Sequence, residues 1–234
     1  MHFTILALLA FSYNFVCIGA ARFTVPVHFS VFHDQNNQAD GNFPDGVLQQ
    51  QMQVLNSFTQ QIGLTFQIAS VRRIPVPYNV LHGSHAGNNV ERNLKQYRQG
   101  NVQALNIYTV GSNPNGGSTS ATFPQDYNSD PRNDGIVIDY GFLPGGRYSG
   151  YNTGKALVRE VGHWAGLFNT YDGGCGGNGD GVDDTPAELP GASGCPAGRD
   201  SCPNKPGVDP IHNMMDSTDD NCRLLGELEA ERQG

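Results

Sequence analysis

The chain has five cysteines, and four of them, Cys175, Cys195, Cys202 and Cys222, fall in its last quarter. They sit in and around the run GGCGGNGDGVDDTPAELPGASGCPAGRDSCPNKPGVDP, which is dense in turn formers and almost without hydrophobic periodicity. Such a segment cannot be packed by apolar burial alone. Covalent closure supplies what is missing, each closed loop being stabilised by about 3 kcal/mol in the chain-entropy model. Four cysteines after export imply two disulfides, whereas a thiolate-held structural zinc needs close Cys-x-x-Cys pairs that are absent. Residues 169–234 are therefore expected to form a loop-rich, disulfide-held subdomain.

The preceding stretch has a different character. FTVPVHFSVF alternates Phe23, Val25, Val27, Phe29 and Val31 on one face, the period of a half-buried strand. Asp45 then reads as the cap of a helix in which Leu48, Met52, Leu55, Phe58 and Ile62 recur at three and four, closed by Gly63. LTFQIASV reads as a strand, and a shorter helix around Val90, Leu94 and Tyr97 ends at Gly100. ALNIYTV and GIVIDY are further strands, and a third helix starts near Gly154. This alternation predicts an α/β fold over 22–168, a mixed twisted sheet with helices laid against it.

Residues 1–21 run apolar and end in Gly19, Ala20 and Ala21, which reads as a cleaved signal peptide; Cys17 would leave with it. Ser12, Tyr13 and Asn14 interrupt the run before it reaches the ~20 residues of a membrane span. No second span follows, so the mature chain is expected to be secreted, extracellular and free of the membrane. Lys plus Arg total 14 against 22 for Asp plus Glu, a net charge of -8 with no compensating basic run. That balance argues against a nucleic-acid partner. No Asn-x-Ser/Thr sequon is present.

The stretch with the most chemistry in it is ALVREVGHWAGLFNTY. Zinc peptidases place two His ligands at i and i+4 on one helix, with a Glu after the first to polarise the attacking water. In one large group a Gly then ends the helix, and a third His completes the site. Here Glu160, His163 and Gly166 stand where that pattern wants them, while Arg159 and Asn169 occupy the first and third ligand positions.

Together with NDGIVIDY, YNTGKALVREVGHWAGLF, GDGVDDTP, GCPAGRDSCP and DPIHNMMDSTDDNC, in order and at suitable spacing, this motif is similar to the pappalysin-type metzincins. The resemblance is greatest to the fungal secreted extracellular metalloproteases, and it covers nearly all of the mature chain. It implies a metzincin-like zincin fold, hydrolysis of extracellular proteins or peptides, and zinc as cofactor. It makes Glu160 the general base, His163 a zinc ligand and Met215 the Met-turn residue beneath the metal. It pairs Cys175 with Cys202 and Cys195 with Cys222. Where the family carries a Tyr two residues past the Met-turn Met, this chain has Ser217, and RLLGELEAERQG replaces the usual apolar turn and helix at the end.

These departures bear on activity. One imidazole binds zinc weakly compared with three. A guanidinium has no acceptor and stays charged, so Arg159 at a ligand position opposes a dication. A different possibility is that Arg159 fills the metal position and pairs with a carboxylate in the cleft, although helix neighbours do not face each other and Glu160 is not its automatic partner. Two readings follow: a pseudoprotease that binds peptides along the edge strand around SATFP, and an active metalloprotease with an altered metal site. Asp180, Asp183 and Asp184 form an acidic loop, with calcium as its candidate ion and a solvated turn as the alternative. His82 and His85 read as solvated loop residues, His212 as a hydrogen-bonding turn residue and Trp164 as core. A monomer is expected.

Overall fold

A computed structural model describes residues 22–83, 93–111, 116–177, 179–183 and 185–224. The leader with Cys17, the loop with His85, Asp184 and the tail from 225 lie outside these residues. Among them, β1 (Phe23–Asp34), β2 (Leu64–Val76), β3 (Leu105–Val110), β4 (Thr119–Ala121) and β5 (Ile136–Asp139) form one sheet of order β2-β1-β3-β5-β4. β1 is parallel to β2 and β3, and β3 to β5. β4 runs antiparallel to β5, with Thr119 opposite Ile138 and Ala121 opposite Ile136. The helices whose bounds lie within the described residues are α1 (Asp45–Thr59), α2 (Tyr78–Leu81) and α3 (Lys155–Trp164). The fold is thus the mixed α/β arrangement expected.

Alternation along the strands divides the apolar residues between two layers. Val27, Phe29 and Val31 of β1, Leu105 and Ile107 of β3, and Ile136 and Ile138 of β5 meet Leu48, Met52, Leu55 and Phe58 of α1 and Leu157, Val158 and Val161 of α3. Each such side chain contributes about 1.5 to 3 kcal/mol on full burial. Phe32, Tyr108, Val110 and Val137 pack on the opposite face with Val76, Leu81 and Leu94. From Val27 onward most of β1 is therefore buried on both faces rather than half-buried, as a parallel sheet requires.

Several element ends differ from the sequence reading. β2 continues past LTFQIASV to Val76, its pairing with β1 shifting register between Val27 and His28. Asp45 does not cap α1. Pro44 precedes the helix in extended conformation, no side chain caps it, and Asp45 in the first turn pairs with Arg73 of β2. A 3₁₀ turn, Gln60–Ile62, follows α1, and Gly63 at φ 78 closes it in the left-handed region that glycine adopts freely. Of the helix expected around Val90, residues 84–92 lie outside the described set; 93–95 are helical and Leu94 is buried.

Among the described residues of 169–224 there is no strand and one 3₁₀ turn, Gly174–Gly176. Cys175 pairs with Cys202 and Cys195 with Cys222, each across 27 residues. A small cluster of Ala192, Ile211 and Cys222 sits within the segment, and Met214 reaches into the main core. Among the described residues no helix is long and apolar enough to cross a membrane.

Candidate active site

α3 starts after Gly154 and is tied to α1 where the Gln51 side-chain amide donates to the Gly154 carbonyl at 2.9 Å. Its buried face carries Leu157, Val158 and Val161, and also Glu160 and His163. Two polar groups inside an apolar face must be satisfied locally. His163 Nδ1 donates to the Leu167 carbonyl at 2.8 Å, so in the neutral ring the lone pair lies on Nε2. Burial, with Arg159 adding to it, keeps the His163 pKa below its ordinary value. Glu160 Oε1 accepts from the Thr119 hydroxyl of β4 at 2.7 Å.

The turn that ends α3 brings the remaining positions together. Gly166 adopts φ 106, its N–H donates to the His163 carbonyl, and the Leu167 N–H donates to the Gly162 carbonyl. This glycine-dependent reversal returns the chain toward the helix. Asn169 meets Arg159 there, its amide oxygen accepting from Arg159 Nη2 while its nitrogens bond to Asp172. Arg159 Nη2 also donates to the Tyr171 hydroxyl at 3.0 Å, and Nη1 to Glu160 Oε1 at 3.2 Å. Glu160 is therefore an Arg159 partner after all, a contact within reach of a long arginine side chain although the two Cβ positions do not face each other.

Met215 is fully buried, and a Cβ at Gly162 would lie 2.5 Å from its sulfur. The methionine thus packs directly against α3 at its one residue without a side chain. The Ser217 hydroxyl donates to the Ala192 carbonyl at 2.7 Å.

These residues do not fit zinc. One imidazole remains, and the Asn169 amide oxygen, already a poor zinc donor, is taken up by a guanidinium. Among the described residues one group of three His, Cys, Asp or Glu ligand atoms lies close enough to share an ion, namely Cys195, His212 and Cys222. Its two sulfurs are joined as a disulfide.

The other candidates lie elsewhere. His82 is not a solvated loop residue: it is half-buried and its Nε2 is 2.8 Å from Asp40, whose other oxygen accepts from Tyr140. His212 Nδ1 bonds to the Cys222 carbonyl at 2.6 Å, as a turn residue would. Trp164 packs on the core and also donates to Asp134 at 2.9 Å, a polar role the sequence did not suggest. Asp180 accepts from the Val182 N–H in its own turn, and Asp183 is exposed.

The sequence reading also passed over Thr119, Tyr171 and Arg223. They join Arg159, Glu160 and Ser217 around a cavity of about 270 Å3. Arg223, placed directly after a half-cystine, carried the one available signal, a charge at a covalently fixed point.

A sheet ending in an antiparallel edge strand, laid along a helix that bears a buried Glu and His over a buried methionine, defines a metallopeptidase scaffold of the metzincin type. Mature mirolysin of Tannerella forsythia, solved with a cleaved peptide, superposes with a TM-score of 0.73 at 25% identity, covering 91% of each chain. The peptidase family M43 profile, described as pregnancy-associated plasma protein-A, matches residues 88–223. An extracellular metalloprotease of Pyricularia oryzae is 41% identical over 201 residues, 85% of this chain and 69% of that protein. One of Colletotrichum graminicola is 39% identical over 207 residues, 87% and 72% of the two chains. The chain belongs to this M43 metalloprotease family, whose reaction is peptide-bond hydrolysis and whose metal is usually zinc.

Proposed function

We propose that this chain is a secreted pseudoprotease, a family member that binds extracellular peptides in its cleft without hydrolysing them. One observation carries the reading: the Arg159 guanidinium hydrogen-bonds Asn169, Tyr171 and Glu160 together. A fixed cation thus stands among the ligand positions, and it holds the carboxylate the family uses as general base. Without a Lewis acid, water stays a poor nucleophile near neutral pH, and Glu160 does not replace that function. His163 and Met215 are retained parts of the family site, and Arg159 and Asn169 its two substituted ligand positions. The names of the fungal relatives support an extracellular location. Peptide binding is supported by β4, which among the described residues lies at the end of the sheet order and beside Glu160.

The deciding experiment measures zinc by elemental analysis and casein cleavage for the protein and for its Arg159→His, Asn169→His double variant. The expected outcome is neither zinc nor cleavage in the parent, with stoichiometric zinc and cleavage in the variant. Stoichiometric zinc and cleavage in the parent would instead establish an active protease with an altered metal site.

A further inference from the structure

Arg223 is 4% exposed and lines the cavity beside Arg159. Among the described residues its one carboxylate neighbour within 4 Å, Asp220 Oδ1, lies 3.8 Å from Nη1, too far for a hydrogen bond, and its Nε has no partner. Asp220 turns its other oxygen to Thr153, accepting from the backbone N–H at 2.9 Å and the hydroxyl at 2.8 Å. The Arg159 Nε is likewise buried without a partner. Lys155 Nζ fixes the backbone around this position, donating to the carbonyls of Asp220 and Arg223 at 2.5 and 2.6 Å. Burial disfavours the charged form of Arg223; Asp220 opposes that effect and Arg159 adds to it.

A buried guanidinium whose Nε lacks an acceptor is costly, and this one directly follows the cross-linked Cys222 and lines a cavity. Its planar fork matches a carboxylate. The cavity holds a side chain or a chain end but no folded partner, and Thr119 of β4 forms part of its wall. An extended peptide added to β4 would run past it.

We infer that Arg223, assisted by Arg159, makes this cavity a recognition pocket for a peptide carboxylate, supplied by an Asp or Glu side chain or by a C-terminus. The inference rests on the peptide-binding reading above and gives that reading its ligand class.

The test measures binding of short Val- and Thr-rich fluorescent peptides of three kinds by anisotropy. The first is blocked at both ends and carries one Glu; the second has Gln there; the third ends at that position in a free carboxylate. The protein is expected to bind the first or the third about tenfold more tightly than the neutral peptide, the affinity step of one charge-assisted hydrogen bond. Which of the two is preferred separates side-chain from terminal recognition. Arg223→Met should bring all three to within twofold of one another. Equal binding of all three by the parent protein overturns the carboxylate pocket and leaves peptide binding standing. Binding of none overturns both. A preference that survives in folded Arg223→Met removes Arg223 from the role. If that variant does not fold, the three peptides on the parent protein still decide.

Discussion

At Gly162 the absence of a side chain matters because Met215 occupies the space. A methyl group there would stand 2.5 Å from a buried sulfur, so the methionine or the helix must shift. Gly162→Ala is expected to lower the unfolding free energy by about 1 to 3 kcal/mol, the usual cost of overpacking. Gly46 in the exposed first turn of α1 is the control, since a Cβ there meets nothing within 4 Å. Gly46→Ala should be stabilising by about 0.4 to 1 kcal/mol. Urea denaturation of both variants checks the contrast, and equal effects would mean that Met215 repacks freely. This contact was only half legible in the sequence. The family resemblance marked Met215, but nothing in the sequence singled out Gly162, and their approach depends on how the turn-rich segment folds back under α3. Arg159 was legible as an obstacle to a metal. Its three acceptors were not, because they come from α3 itself and from residues beyond the Gly166 turn.

Among elements, the strands and helices of 22–168 were readable where a period was strong, as in α1, β1 and β3. They were misread where the end of an element depends on its neighbours. β2 runs on to Val76 because β1, after one register shift, offers a parallel partner as far as Asp34, which no local pattern in β2 announces. β4 is three residues long and is held by β5, so periodicity could not define it. The segment 169–224 presents the opposite situation. Its cysteines gave its organisation away, whereas its loops follow no periodic rule. Replacing Cys195 and Cys222 with Ala removes a closed loop of 27 residues and should lower stability by about 2 to 5 kcal/mol. The same change should expose the segment to limited proteolysis, with cuts mapped by mass spectrometry inside 170–224. Cuts within the sheet instead would show that the bridge supports the whole fold and not this segment.

Taken as one body, the molecule joins its cleft to its loops through a buried carboxylate the sequence did not single out. Glu188 has no exposed surface. It accepts from the Thr170 hydroxyl at 2.6 Å and lies 3.0 Å from Arg199, which also bridges to Asp209. Burial, reinforced by Asp216 and Asp209, pushes its pKa up to about 7 from 4.5 despite the Thr170 bond. A carboxyl raised in the folded state favours the protonated form. Its contribution is therefore fully present below about pH 4.5 and is lost as the pH rises through 7. Thermal denaturation should show a fall in Tm across that window, and Glu188→Gln should flatten it. An unchanged slope in the variant would assign the pH dependence to other groups.

Arg159 has a consequence for the conditions under which such a protein can keep its shape. A metal centre is in exchange with its surroundings; its occupancy follows ion supply and is open to competition from any stronger chelator. A guanidinium is attached when the chain is made and stays charged through the ordinary pH range. On the proposed reading, the cleft of this chain has exchanged a borrowed cation for one of its own. Its geometry would then be the same in a zinc-starved medium as in a zinc-rich one.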